Sequence, residues 1–334
     1  MSNTDPGADC GAEITQDTTL ERDLVCERGP ALVIAADGVT LDLGGHSVSC
    51  NGTARSHGPG ILLREVSRST VRNGTVEQFD AGVVVEGGSA NVVENLTVRD
   101  NVGSTDGDLG DGIVVTNSRE NRIESNTVER NGPFSGISLG LQAQGNMIRG
   151  NAVTDNNMLD SADPASGRQT MGIRVEGPEA NRNTIAGNTV TGSGGDGISV
   201  LATCEDFNSE PPCAGTPPNE HNEITGNTSN GNGKSGQGCG IRMFSMADPV
   251  APVSNIIRDN VADGNASYGI AVDDAGPGSP GNTVVGNRAH GNREYDGSDG
   301  ALMPPCGKNV WQANDFGSVN QPCVSRPGPE APGA

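Results

Sequence analysis

Asn121-Arg-Ile-Glu-Ser-Asn126 decides how this chain is read, because its frame, Asn-x-(Ile/Val)-x-x-Asn, recurs along the sequence. Further copies run from Asn146 to Asn151, Asn183 to Asn188, Asn222 to Asn227, Asn255 to Asn260, Asn282 to Asn287 and Asn309 to Asn314, the last with Trp311 in the aliphatic slot. Asn91-Val-Val-Glu-Asn-Leu96 is an eighth copy with leucine in place of the second asparagine. Alternating with it is a second frame: Gly82-Val-Val-Val, Gly112-Ile-Val-Val, Gly136-Ile-Ser-Leu, Gly172-Ile-Arg-Val, Gly197-Ile-Ser-Val, Gly240-Ile-Arg-Met and Gly269-Ile-Ala-Val. Successive glycines lie 30, 24, 36, 25, 43 and 29 residues apart.

These segments are short, alternate in polarity and are punctuated by glycine and asparagine, with no helical period of useful length between them. A strand of three or four residues cannot bury its apolar face alone, so consecutive turns must stack and share one narrow core. Ile and Val fit inside such a core. The evenly spaced asparagines can stack as hydrogen-bonded ladders at its corners, and asparagine tolerates the left-handed conformation a corner requires. The shortest interval, 24 residues, sets the length of one coil, and longer intervals are insertions. About ten coils at roughly 4.8 Å each give a rod of roughly 48 Å. The expected fold is all-β: a single-domain parallel β-helix, or solenoid, over 31–317. Residues 1–30 are read as tail and cap, and the Pro/Gly-rich 318–334 as a disordered tail.

Composition agrees. The 334 residues include 50 Gly and 32 Asn but 8 aromatics, so the core must be built from small side chains stacked repetitively. No run of eighteen apolar residues is present to cross a membrane as a helix, and glycine does not fall at every third position as collagen requires. Net charge is −21, from 42 acids and 21 bases. That opposes nucleic-acid binding and disfavours a long polyanionic substrate, which the whole field repels. The cysteines offer three local pairs, Cys10/Cys26, Cys204/Cys213 and Cys306/Cys323, a pattern of loop stapling in an oxidising compartment. No Cys-x-x-Cys is present, so zinc is not expected. Met1-Ser-Asn-Thr-Asp-Pro-Gly7 lacks the basic and apolar segments of an export signal, which points to the cytoplasm if Met1 is the native start. The two signals conflict, and both localisations stay open.

Over about residues 30–317 the repeat resembles the right-handed parallel β-helix superfamily, which includes pectate-lyase-like enzymes, alginate epimerases and periplasmic NosD-type proteins. The opening Thr19-Leu-Glu-Arg-Asp-Leu24, followed by Gly38-Val-Thr-Leu-Asp-Leu-Gly-Gly-His46, is similar to the first coils of many actinobacterial members, which are usually secreted. The resemblance implies a right-handed coil and says little of activity, because one fold hosts many functions. The Asp-Pro-His-Glu signature of alginate epimerases is missing, as is the basic set of a pectate lyase.

On each Gly-Ile-x-Val strand Ile and Val point inward, so x points out. That outward column reads Val84, Val114, Ser138, Arg174, Ser199, Arg242, Ala271. Arg174 and Arg242 therefore share a face, two coils and roughly 10 Å apart, with Ser199 between them. Together they can clamp a carboxylate or phosphate, or each can be neutralised by a nearby acid such as Glu176 or Asp273. The residues ahead of the glycines form a second column: Ala81, Asp111, Ser135, Met171, Asp196, Cys239 and Tyr268. There Asp111 and Asp196 either cap turns or contact substrate. Asp273 and Asp274 end a strand beside the Arg face, where a desolvated carboxylate can act as general acid or base. His221, next to Glu220, is a candidate proton carrier, and Tyr268 a candidate proton donor. Insertions at 102–110, 156–170, 201–221, 229–238, 244–254 and 291–299 are expected to wall a cleft over coils six to nine, those of Gly172 to Gly269.

The catalytic set is thus Arg174, Arg242, His221, Tyr268 and Asp273, and the substrate-binding set Ser199, Asp196 and Lys234 of the 229–238 insertion. No cofactor or metal is expected. Calcium has two weak signals, a single partial nonapeptide at Gly192-Ser-Gly-Gly-Asp-Gly-Ile198 and the trio Asp106, Asp108 and Asp111. Three functions follow. The first is an enzyme acting on a sugar or uronate by lyase or epimerase chemistry, with a small-molecule or oligosaccharide substrate and neither nucleic acid nor membrane as partner. The second is an intracellular small-metabolite isomerase, cyclase or dehydratase of a biosynthetic pathway. The third is a non-catalytic surface or periplasmic carbohydrate-binding solenoid, which the uneven coil lengths disfavour.

Overall fold

A computed structural model describes residues 8–52, 57–103, 109–156, 171–204, 216–245, 251–273, 281–301 and 305–325. Eleven strands form one parallel sheet, one strand per coil: Ala12–Ile14, Leu32–Ile34, Pro59–Arg64, Ala81–Glu86, Ile113–Thr116, Ser135–Leu139, Met171–Glu176, Ile198–Ala202, Ile241–Ser245, Ile270–Val272 and Gly297–Asp299. The chain is an all-β parallel β-helix, and no α-helix occurs among the described residues. The count begins earlier than the sequence suggests, since Ala12–Ile14 is already a first coil lying on Leu32–Ile34 rather than a cap. The strands of Gly172 to Gly269 are therefore in coils seven to ten.

The inward positions are as the repeat requires. Coil five contributes Ile113, Val115, Ile123 and Val128 and coil six Ile137, Leu139, Ile148 and Val153, all fully buried in one continuous core. Each such side chain stabilises the fold by roughly 1.5–3 kcal/mol. The repeat glycine is dictated by close approach: a Cβ on Gly112 would lie 2.6 Å from the Gly136 carbonyl and 2.7 Å from Val128.

Three asparagine ladders hold the corners, one more than the paired motif suggests. Within a coil the rungs are five residues apart, as in Asn121, Asn126 and Asn131, and the third column runs Asn101, Asn131, Asn156, Ser193, Asn232, Asn265, Asn292. In the middle ladder the backbone N–H and Nδ2 of Asn126 donate to Asn151 Oδ1 at 2.9 and 3.0 Å, and Nδ2 also donates to the Val93 carbonyl at 2.9 Å. Where the middle asparagine is replaced, by Gly74 and Leu96, the flanking strands run through the corner as Thr70–Glu77 and Val92–Arg99. At the far end two ladders finish on acids. Asn292 donates from its backbone N–H and Nδ2 to Asp296 Oδ1, and Asn309 donates to Asp299 Oδ2 at 3.0 Å.

The last strand of the sheet is Gly297–Asp299, inside the 291–299 segment read as an insertion. There Asp299 accepts Trp311 Nε1–H at 2.7 Å, so much of the 291–299 segment is coil rather than insertion. Trp311 is buried and meets Phe316 edge-to-face at 6.1 Å. The ordered chain also passes residue 317: Pro322–Ser325 forms a 3-10 turn that buries Val324 and is tied back by Cys306–Cys323. Residues 326–334 of the expected tail lie outside the described residues. Cys10–Cys26 is also formed, and Cys204 is disulfide-bonded; its expected partner Cys213 lies outside the described residues.

A loop of this size closed by a disulfide contributes about 3 kcal/mol. In a Cys306→Ser, Cys323→Ser double variant, the fluorescence of Trp311, the only tryptophan, is expected to change at lower denaturant than the far-ultraviolet circular dichroism. Coincident transitions at the parent midpoint would show that this end needs no staple.

Candidate functional site

The outward column is continuous. Val33, Leu62, Val84, Val114, Ser138, Arg174, Ser199, Arg242, Ala271 and Ser298 are direct register partners from the second coil to the eleventh. Its first half is apolar: Leu62, Ala81 and Val84 are buried in a small outer cluster with Val33, Leu109 and Val114 packed against it. Its second half is polar and carries two centres.

In the first centre Asp111, on the position ahead of Gly112, faces Arg174 two coils on. Arg174 lies 3.5 Å from Asp111 Oδ1 and 2.7 Å from Glu176 Oε2, and stands 5.9 Å from the centroid of Phe134. Burial pushes the Asp111 carboxyl above its ordinary value, a rise that the Arg174 charge only partly offsets. The folded chain then holds that proton more tightly than the unfolded chain. This contribution favours folding at low pH and fades as pH climbs through the raised value. Asp111→Asn is therefore expected to gain stability relative to the parent as pH is raised from about 4 toward neutrality. Urea midpoints that stay parallel across that range would remove the assignment.

The second centre is built round Arg242. Its guanidinium lies 4.2 Å from the Phe244 ring centroid and donates to Asp273 Oδ2 at 2.9 Å. Burial works against the charge, but Asp273 and then Asp196 hold it, so the Arg242 pKa is raised. Beneath it Asp196 accepts the Cys239 backbone N–H at 2.7 Å and the Ser199 hydroxyl at 3.0 Å. Burial pushes the Cys239 thiol well up, aided by the charge of Asp196. Tyr268 is bonded to Glu294, which with partial burial pushes its phenol up to about 12. Its ring is stacked parallel with Tyr295 at 6.5 Å. Arg242 and Asp273 are each more than a third exposed, so the centre is open to solvent.

The structure thus brings together Arg242, Tyr268 and Asp273, with Arg174 two coils away. Both guanidiniums are neutralised by the acids considered for that role, Glu176 and Asp273, and Arg174 by Asp111 as well. Ser199 and Asp196, read as substrate-binding, are corrected to supports: both are buried and satisfy one another and the Cys239 backbone. Lys234 is not at this face, because it is drawn to Asp155 at 2.5 Å beside the third ladder. His221 is not there either. It occupies the left-handed corner just before Asn222, at φ 57°, and its ring meets Glu220 at 3.4 Å. Asp106, Asp108 and Asp274 lie outside the described residues, as do 157–170 and 205–215 of the insertions. Among the described residues no group of three or more His, Cys, Asp or Glu is placed to hold a metal ion.

Sequence reasoning missed the aromatic character of the face. Four of the chain's 8 aromatics, Phe134, Phe244, Tyr268 and Tyr295, gather there. The signal was available: Tyr268 and Tyr295 are separated by 27 residues, the local coil length from Asn255 to Asn282 to Asn309.

The fold defines the class: the chain is a right-handed parallel β-helix. A family model described as "Right handed beta helix region" matches residues 33–177. Among solved structures the chain is similar to the pectate lyase Pel9A, with TM-score 0.60, 14% identity, and 97% of this chain and 82% of that chain covered. It is also similar to the A-module of the Azotobacter vinelandii mannuronan C-5 epimerase AlgE4, with TM-score 0.51, 14% identity, and coverage of 86% and 83%. A third similar structure is the Dettilon tailspike protein, with TM-score 0.52, 17% identity and 92% of this chain covered; the match spans 62% of that longer chain. At these identities the likeness is one of fold. No curated protein matches the sequence.

Proposed function

We infer that the chain is a carbohydrate-active β-helix enzyme that binds a uronate-type sugar over the Arg242 centre and removes the proton beside its carboxylate, as a lyase or an epimerase does. The observation that supports this is the meeting of an accessible guanidinium, a carboxylate, a protonated phenol and stacked rings on one face. Arg242 can take the sugar carboxylate through two parallel hydrogen bonds and stabilise the charge that gathers on it as the C5–H bond breaks. Doing so releases Asp273, which then stands beside the sugar as the base that accepts the C5 proton. Tyr268 keeps its proton at neutral pH and can give it up in the second step. Delivery to the leaving oxygen at C4 completes an elimination, and delivery to the opposite face of C5 completes an inversion. Tyr295 and Phe244 add apolar surface for a sugar ring. Similarity to a pectate lyase and a mannuronan C-5 epimerase supports the same substrate class.

The test is a panel of uronate polymers and oligomers, with calcium or with chelator. Ultraviolet absorbance reports unsaturated ends and proton NMR reports inversion at C5. Turnover of any member supports the reading; a clean negative across the panel rejects it. Binding without turnover selects a second reading, a non-catalytic carbohydrate-binding solenoid, which the pairing of Arg174 with Glu176 and of Arg242 with Asp273 favours.

A further inference from the structure

A polar groove of about 350 Å³ opens at the corner between the long sheet and the first asparagine ladder. Its walls include the hydroxyls of Ser67 and Ser89, the amides of Asn117, Gln142 and Gln144, and the guanidinium of Arg119. Single bridges stack these residues through coils three to six, Ser67 on Ser89, Ser89 on Arg119 and Arg119 on Gln144. The groove shares no residue with either centre on the outer face. Arg119 and Arg242 lie four coils apart, roughly 19 Å. The volume is at the lower end of the range for small-ligand sites.

Its charge is unusual for this chain. With 42 acids against 21 bases overall, the groove has one cation and no acid in its lining. Six arginines of coils three to five are neutralised, Arg64 by Glu86, Arg68 by Asp37, Arg72 by Asp42, Arg99 by Glu77, Arg122 by Glu124 and Arg130 by Asp100, whereas Arg149 and Arg182, outside the lining, make no such pair among the described residues. Arg119 makes no such pair among the described residues, and the side-chain amides of Gln142 and Gln144 bond to nothing there. The serines are partly used by the fold, since Ser67 Oγ receives the Ser89 backbone N–H at 3.1 Å, but a hydroxyl can serve more than one partner.

An uncompensated guanidinium beside the two glutamine amides and partly used serine hydroxyls matches a ligand with one carboxylate and several hydroxyls. We propose that this groove is a second, non-catalytic subsite for a uronate residue, with its carboxylate on Arg119 and its ring hydroxyls on Gln142, Gln144 and the serine edge. The proposal rests on the uronate reading above and adds to it a place that holds the saccharide away from the reaction. A ligand that engages both Arg119 and Arg242 must span at least the roughly 19 Å of axial rise between their coils, so a monosaccharide reaches one or the other.

The experiment is a backbone-amide NMR titration of the full chain with monomeric galacturonate, glucuronate and mannuronate, and with the uncharged hexoses galactose, glucose and mannose. At least one uronate, and none of the hexoses, is expected to shift the amides of Ser89, Asn117, Arg119, Gln142 and Gln144. Arg119→Ala, a change to an exposed side chain, is expected to weaken that binding about tenfold or more. Arg242→Ala should leave it unchanged. Absence of groove shifts, equal shifts with the hexoses, or binding that survives Arg119→Ala overturns the proposal. The readout does not depend on turnover. Arg119-dependent shifts in a protein that converts no uronate polymer would uphold the groove and reject the reaction, and turnover without groove shifts would do the reverse.

Discussion

Asn188→Ala is expected to cost about 3–5 kcal/mol of folding stability, a large share of what a domain has. Asn188 Oδ1 accepts both the backbone N–H and Nδ2–H of Asn151 at 2.9 Å, and Asn188 Nδ2 donates to the Ile148 carbonyl at 2.9 Å. Alanine removes these bonds and leaves the Asn151 backbone N–H and one Nδ2–H without partners in a fully buried corner, at about 1–3 kcal/mol each before relaxation. The substituted backbone keeps its own bond to Asn227 Oδ1, which limits the loss. Asn314 is the last rung and half-buried, so the same change there should cost less than half as much. Thr189→Ala, on the exposed next residue, should stay within about 0.5 kcal/mol. Urea unfolding of the three variants checks the order. A cost below about 1 kcal/mol at Asn188, or equal costs at both ladder positions, would mean the ladders follow the core rather than hold it.

Arg242→Ala is expected to lower kcat/KM by about 10²–10³ on whichever uronate the chain converts. Arg242 is the better probe of the two guanidiniums. Removing Arg174 would strand buried Asp111, whereas Asp273, left behind by Arg242→Ala, is exposed enough to be solvated. Folding should therefore survive, with a loss of about 1 kcal/mol or less. Arg242→Lys keeps the charge but not the two parallel donors or the flat contact with Phe244, so it should recover only part of the rate. Activity within about threefold of the parent in a folded Arg242→Ala variant would remove Arg242 from the chemistry.

The fold was legible because the repeat couples two independent signals. Apolar residues at alternate positions define the strand, and asparagine at fixed spacing defines the corner, so the inward and outward sides of each Gly-Ile-x-Val strand follow without coordinates. The third ladder is equally legible in the step from Asn121 to Asn126 to Asn131, though Ser193 interrupts its column. Placement on the outward face was legible where residues sit on the strand itself, as for Arg174 and Arg242. It was not legible at His221 and Lys234, where the side chain's direction depends on a corner dihedral or a distant acid that strand periodicity does not encode. The burial of Ser199 was hidden for another reason: pointing outward from the core is not the same as meeting solvent when Asp196 and Cys239 crowd the same face.

The asparagine columns also give the rod a direction. Along the middle ladder one Nδ2–H of each asparagine points to the next rung on the C-terminal side, and each Oδ1 accepts from the rung on its N-terminal side, from Asn126 through Asn151, Asn188, Asn227, Asn260 and Asn287 to Asn314. Backbone bonds between parallel strands run both ways and largely cancel, whereas these amide dipoles add. The C-terminal end is therefore the electropositive, donor end of the columns, comparable to the N-terminus of an α-helix. It is there that Asp296 and Asp299 stand as anionic stoppers. Burial pushes the Asp296 carboxyl upward, yet the donors of Asn292 and Ser318 hold it below its ordinary value. That charge is kept until the medium is strongly acid, and as pH falls through the lowered value the polarity of the column loses its counterweight. Acid should therefore loosen the rod from its C-terminal end first.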